Sequence, residues 1–159
     1  MPDVTWLRLW GLVLALILAN LFSPTARADD SKIQVIVVAI LATDKNTKID
    51  EKLKEIAKEI QKKEPTLTGF AVERCTCKPV KIGEKEEFPL VDEKIVVVIL
   101  AEKNEKDNKV SLTIKPPTLG DITYTCCCGK YFPVVTRYVT KDNERLIIAV
   151  MVKPCNGKK

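Results

Sequence analysis

The chain has 159 residues, with 26 lysines and arginines against 21 aspartates and glutamates, a net charge of +5 and no histidine. The charges interleave in sign, as in Lys54, Glu55, Lys58, Glu59, Lys62, Lys63 and Glu64, so there is no clustered basic face of the kind that nucleic-acid binding needs. Lack of histidine removes the usual general base near neutral pH, the usual zinc nitrogen ligand, and the Ser-His-Asp and Cys-His arrangements.

Met1 to Ala28 reads as a secretory signal peptide. Arg8 and the amino terminus give a basic start, Leu9 to Phe22 is an apolar run, and Pro24 breaks it. Ala26-Arg27-Ala28 then supplies the small-x-small pattern of a cleavage site, followed by Asp29-Asp30. The run is short of the roughly 20 residues that span a bilayer as a helix. The expected products are a leader, 1–28, and a single domain, 29–159, secreted or periplasmic, with no stable membrane span after cleavage. The leader carries Arg8, Arg27 and Asp3, so cleavage leaves a mildly basic domain. Its glycines, Gly69, Gly83, Gly120, Gly129 and Gly157, are too scattered to build a phosphate loop.

Ile33 to Leu41 is apolar at nearly every position, the pattern of a central strand covered on both faces. Thr43 to Lys48 is a polar loop, and Asp50 is placed to cap a helix over about 51–63. Leu53, Ile56, Ala57 and Ile60 give that helix one apolar stripe, and Pro65 ends it. Phe70 and Val72 alternate, after which Cys75 and Cys77 take the opposite parity; the switch near Glu73-Arg74 predicts a β-bulge. Short strands follow at Glu86–Leu90 and Ile95–Leu100, with a charged hairpin loop over Glu102–Asn108. Val110, Leu112 and Ile114 alternate with Ser111, Thr113 and Lys115, giving one dry and one wet face, until Pro116-Pro117. Ile122–Cys128, Gly129-Lys130 and Tyr131–Val139 read as a hairpin with a two-residue turn. Lys141-Asp142-Asn143 is another turn, and Leu146–Val152 a last buried strand. The expected class is α+β, one amphipathic helix packed on a mostly antiparallel sheet of about seven strands.

Six cysteines remain after cleavage: Cys75, Cys77, Cys126, Cys127, Cys128 and Cys155. If the Phe70–Lys81 and Ile122–Cys128 segments are antiparallel neighbours, one register sets Cys75 opposite Cys128 and Cys77 opposite Cys126. Cys127 and Cys155 are then left for the other face. Three chemistries fit. The sulfurs could form cross-strand disulfides, each contributing about 2–4 kcal/mol. Cys75, Cys77, Cys126 and Cys128 could hold zinc or Cu(I) as four thiolates. Or the cysteines are small apolar filler. No Cys-x-x-Cys pair opens a helix, which places a redox-active thiol behind all three.

Gly129-Lys130-Tyr131-Phe132-Pro133-Val134-Val135, followed after a polar turn by Arg145-Leu146-Ile147-Ile148-Ala149-Val150-Met151-Val152-Lys153-Pro154, resembles the closing hairpin of secretin-type outer-membrane domains. The paired glycines of that family are absent after Val135, and the chain is far shorter than a pore-forming secretin. The chain as a whole resembles small secreted bacterial proteins of unknown function. The resemblance implies an envelope location and carries over no catalytic or binding residue.

The expected function is a non-enzymatic secreted or periplasmic domain, structural or protein-binding, with an envelope protein as a possible partner and no cofactor. The alternative is a thiolate metal-binding envelope protein carrying zinc or copper. Were the chain an enzyme, the candidate groups would be Asp44, Asp50, Glu73 and Arg74. Cleavage is directly testable: intact mass of the envelope or medium fraction should give a chain starting at Asp29, and full-length chain anchored in the inner membrane would show an uncleaved anchor.

Overall fold

The computed structural model describes residues 32–103, 109–126 and 129–153. The expected leader, residues 104–108, Cys127, Cys128 and Cys155 lie outside the described residues. Among the described residues no helix is long and apolar enough to cross a membrane.

Strand β1, Lys32–Thr43, leads through a loop and a 3-10 turn, Glu51–Leu53, into helix α1, Lys54–Gln61. Seven strands follow: β2 (Gly69–Lys81), β3 (Lys85–Pro89), β4 (Val96–Lys103), β5 (Val110–Lys115), β6 (Ile122–Thr125), β7 (Phe132–Val139) and β8 (Arg145–Val152). The α+β character is as the sequence predicts, but the strands form two four-stranded sheets, not one sheet of about seven. The first is ordered β2-β1-β8-β7 and the second β3-β4-β5-β6, and every strand-to-strand pairing is antiparallel. The second sheet is a meander inserted in the chain between β2 and β7.

Apolar patterning dictates the layers. β1 is apolar on both faces, so each face needs cover. Ile33, Val35, Val37 and Ala39 pack with Leu146, Ile148, Val150 and Val152 of β8 against Phe88, Val97, Ile99, Ala101, Leu112 and Ile114 of the second sheet. Ile36, Val38, Ile40 and Ala42 turn the other way, with Ile147 and Ala149, toward Leu53, Ile56, Ala57 and Ile60 of the helical segment. The result is three layers: helix, first sheet, second sheet. All four residues of the expected helical stripe are buried. In β5, Leu112 and Ile114 are fully buried while Ser111, Thr113 and Lys115 are half-exposed, the predicted dry and wet faces.

Two expectations about strand partners fail. β2 pairs with β1, setting Cys75 opposite Val38 and Cys77 opposite Ile36, and not with the 122–128 segment. That segment supplies β6, which pairs with β5 in the other sheet. The Ile122–Val139 stretch is therefore a crossover between sheets rather than a hairpin. Cys126 N–H donates to Val110 O of the second sheet at 2.8 Å, and Gly129 N–H donates to Val152 O of the first sheet at 2.9 Å. Gly129 has φ +81°, a conformation that glycine adopts at no steric cost. Stacking of Tyr124 on Phe132, with centroids 4.1 Å apart, holds the two sides of the crossover together.

The Glu73-Arg74 bulge is present: Ala39 faces Arg74 and Ile40 faces Val72, leaving Glu73 as the extra residue. Further along the same strand Lys78 ties β2 to β3 through an ion pair with Glu86 at 3.1 Å, a bond from Nζ to Glu87 O at 2.8 Å, and a position 5.4 Å from the centre of the Phe88 ring. The buried polar side chain Thr136 donates to Leu146 O at 2.7 Å.

The buried stripe sets a test. Ile56→Asp places a carboxylate without a partner between helix and sheet and should cost about 3 kcal/mol of stability. Lys58→Asp, on the exposed side of the same helix, should cost no more than about 0.5 kcal/mol. Urea unfolding measures both, and equal tolerance would mean that the helix packs through another face.

Candidate functional site

The outer face of the first sheet carries the candidate site. Eight residues of helix cannot cover a face built from strands as long as β1 and β2, so a groove flanks α1 on each side. On the β2 side a concavity of about 370 Å³ is lined by Val38, Val72, Cys75, Leu53, Ile56 and Tyr131, with Asp50, Glu51 and Lys52 at the helix start. On the β7 side a larger one of about 550 Å³ runs between Glu55, Ile56, Glu59 and Ile60 of α1 and Tyr131, Phe132, Pro133 and Val135 of the sheet. Ile56 and Tyr131 belong to both and form the ridge between them.

Asp50 is not the side-chain cap that its position suggests. Its carboxylate makes no capping bond to the helix. Instead Oδ2 accepts from Val72 N–H at 2.7 Å, next to the bulge in β2. Two backbone bonds accompany it, Asp50 N–H to Phe70 O at 3.0 Å and Phe70 N–H to Lys48 O at 2.8 Å. Asp50 therefore fastens the start of the helical segment to the strand beneath it. At the other end, Glu64 and Arg145 form an ion pair at 3.3 Å.

Of the cysteines among the described residues, the fold brings Cys75 and Cys77 together. They lie two residues apart on one face of β2, both exposed, and neither is in a disulfide. The Cys77 thiol donates to Gln34 Oε1 at 3.5 Å. Cys126 belongs to the end of β6 in the other sheet, beside Tyr124. The four-sulfur centre of Cys75, Cys77, Cys126 and Cys128 loses its geometric basis, since it required β2 and β6 to be neighbours. Among the described residues no group of three or more histidine, cysteine, aspartate or glutamate side chains could hold a metal ion. Cys127, Cys128 and Cys155 fall outside the described residues.

The remaining acidic and basic candidates are dispersed. Asp44 is exposed in the loop after β1, Glu73 is exposed on the bulge, and Arg74 is half-buried on the opposite side of β2 from the cysteines. Tyr131 was not singled out from the sequence as a site residue, yet it joins both concavities. Its signal is weak but real: a large aromatic just after the Gly129 turn, at the start of an edge strand. Burial pushes its phenol up from the ordinary value of 10.0, and the nearby Cys75 adds to the shift. Tyr124 is also pushed up, first by burial and then by Cys126.

No protein-family model, no curated protein and no solved structure matches this chain.

The tyrosines give the site a spectroscopic handle. Both phenols ionise later in the folded chain than in the unfolded one, so the unfolded chain loses these protons first as pH rises. Their contribution to stability is whole below pH 10.0 and is lost as pH climbs above it. Ultraviolet phenolate absorbance should show two late-titrating tyrosines. Cys75→Ser should bring Tyr131 part of the way back and leave Tyr124 in place; an unchanged titration would separate Cys75 from Tyr131.

Proposed function

We propose that the chain is a secreted or periplasmic, non-enzymatic domain that binds an extended segment of an envelope protein in the groove between α1 and β7. The groove itself carries this reading. It has an apolar floor of Ile56, Ile60, Tyr131, Pro133 and Val135, and a rim of Glu55, Glu59, Lys63 and Lys130. Its outer wall is β7, an edge strand of the first sheet. Edge strands offer unpaired backbone groups to an added strand, and an apolar wall beside them gives pockets for alternate side chains. The two large hydrophobic side chains exposed among the described residues, Tyr131 and Val139, bracket this same strand. Pro133 withholds one backbone donor, which restricts pairing to the part of β7 beyond it.

The absence of histidine and the dispersal of Asp44, Asp50, Glu73 and Arg74 weigh against an enzyme. The buried polar side chains among the described residues are Thr43 and Thr136, and each is hydrogen-bonded within the fold. The leader-like start and the resemblance to secreted envelope proteins support the location.

A display library of extended peptides with alternating apolar residues tests the reading. Selected peptides should shift the amide resonances of Phe132–Val139, Ile56 and Ile60. Their affinity should fall at least about tenfold, roughly 1.4 kcal/mol, in Tyr131→Asp. Lys85→Glu, on the second sheet, should leave it unchanged. Peptides that bind elsewhere, or tolerate Tyr131→Asp, would overturn the assignment.

A further inference from the structure

Cys75 and Cys77 do not fit the usual roles of a cysteine pair. Both are exposed, so they are not core filler. Alternate residues on a strand are about 6.6 Å apart along it. A disulfide needs Cβ atoms about 3.5–4.5 Å apart, so the pair cannot close on itself without breaking the strand. Yet both side chains leave the same face of β2, and the register with β1 sets Ile36 and Val38 directly beside them. Two sulfurs side by side against an apolar surface suit a different bridge, a single soft ion. A metal–sulfur bond is about 2.3 Å, so a linear sulfur–metal–sulfur unit spans about 4.6 Å. Turning both thiols toward each other on one strand face meets that span with the backbone unchanged, the Cys77 thiol giving up its bond to Gln34 Oε1.

We propose that Cys75 and Cys77 form a two-coordinate site for a soft monovalent cation, Cu(I) being the biological one. Coordination number selects the metal. Zinc in a structural site takes four donors, and no such set forms among the described residues. Thiolates select Cu(I), which is satisfied by two. The step is a proton exchange with no electron transfer: each thiol releases its proton to water, each sulfur bonds the ion, and the adduct carries one negative charge. Asp50, Glu51 and Lys52 line the same concavity as Cys75, with the Asp50 carboxylate held by Val72 N–H. The apolar floor keeps water from one side of the ion. The site lies on the same face of the sheet as the α1–β7 groove, beyond the ridge of Ile56 and Tyr131, and does not depend on the peptide-binding reading.

The test is an anaerobic titration of the reduced chain with Cu(I) held by a chromogenic copper(I) chelator. Other cysteines also take up copper, so the measurement is a difference. Wild type should take one more equivalent than Cys75→Ser, Cys77→Ser or the double variant, and those three should agree, because one sulfur alone does not hold the ion. The same one-equivalent difference should survive when Cys126, Cys127 and Cys128 are all serine. Circular dichroism checks that the exposed substitutions leave the fold intact. Equal uptake in wild type and double variant would overturn the site, as would stepwise loss through the single variants. A disulfide-linked dimer through Cys75 or Cys77 in chain isolated without reductant would overturn it as well.

Discussion

Eight consecutive residue pairs join β1 to β8, and the rest of the molecule is arranged to cover them. The two strands come from opposite ends of the described chain and lie side by side in the middle of the first sheet. Both are apolar on both faces, so neither face can be left to water. Each buried valine, isoleucine or leucine there contributes about 1.5–3 kcal/mol relative to exposure, which makes a one-sided arrangement untenable. The second sheet closes one face and the helical segment the other. Such a pairing requires distant parts of the chain to meet before either strand is stable, so its formation is slow compared with the local hairpins of the second sheet.

The helix takes its stability from this arrangement. Eight residues are too few to hold a helix in water by themselves. Burial of Leu53, Ile56, Ala57 and Ile60 supplies the missing energy, and Asp50 and Arg145 fix the ends through Val72 N–H and Glu64. A short helix on a wide sheet leaves grooves. The apolar pattern demanded by the β1–β8 pair thus also produces the concavities on either side of α1. Binding surface and core are consequences of the same strands.

The periodicities within single segments were legible from the sequence. The all-apolar run of Ile33–Leu41, the stripe of α1, the wet and dry faces of β5 and the parity switch in β2 all reflect local burial, which period and composition report directly. Strand partners were not legible. Like parity makes Cys75–Cys128 and Cys77–Cys126 a self-consistent register, but parity constrains which face a residue takes and says nothing about which strand lies beside it. The chain resolves that choice through longer contacts: β2 returns under its own helix to β1, while β6 closes the meander on β5. The Gly129-Lys130 turn misled for a related reason. A glycine with positive φ serves a crossover as well as a hairpin, and the local sequence does not distinguish them. Tyr131 escaped notice because its role arises from reach across a sheet.

The bulge at Glu73 links the fold to the thiols. Val72 faces the helix, opposite Ile40. Strict alternation from Val72 would turn residues 74 and 76 to that same side and send Cys75 and Cys77 toward the second sheet. One inserted residue reverses this: the cysteines emerge on the outer face, and Arg74, Thr76 and Lys78 turn inward at the rim of the sandwich. The rim tolerates them because β2 is an edge strand and Lys78 finds Glu86 and the carbonyl of Glu87 on β3. A bulge disturbs the local ladder, and here the Val72 N–H beside it is met by Asp50. The residue that anchors the helix therefore also secures the irregularity that exposes the thiol pair.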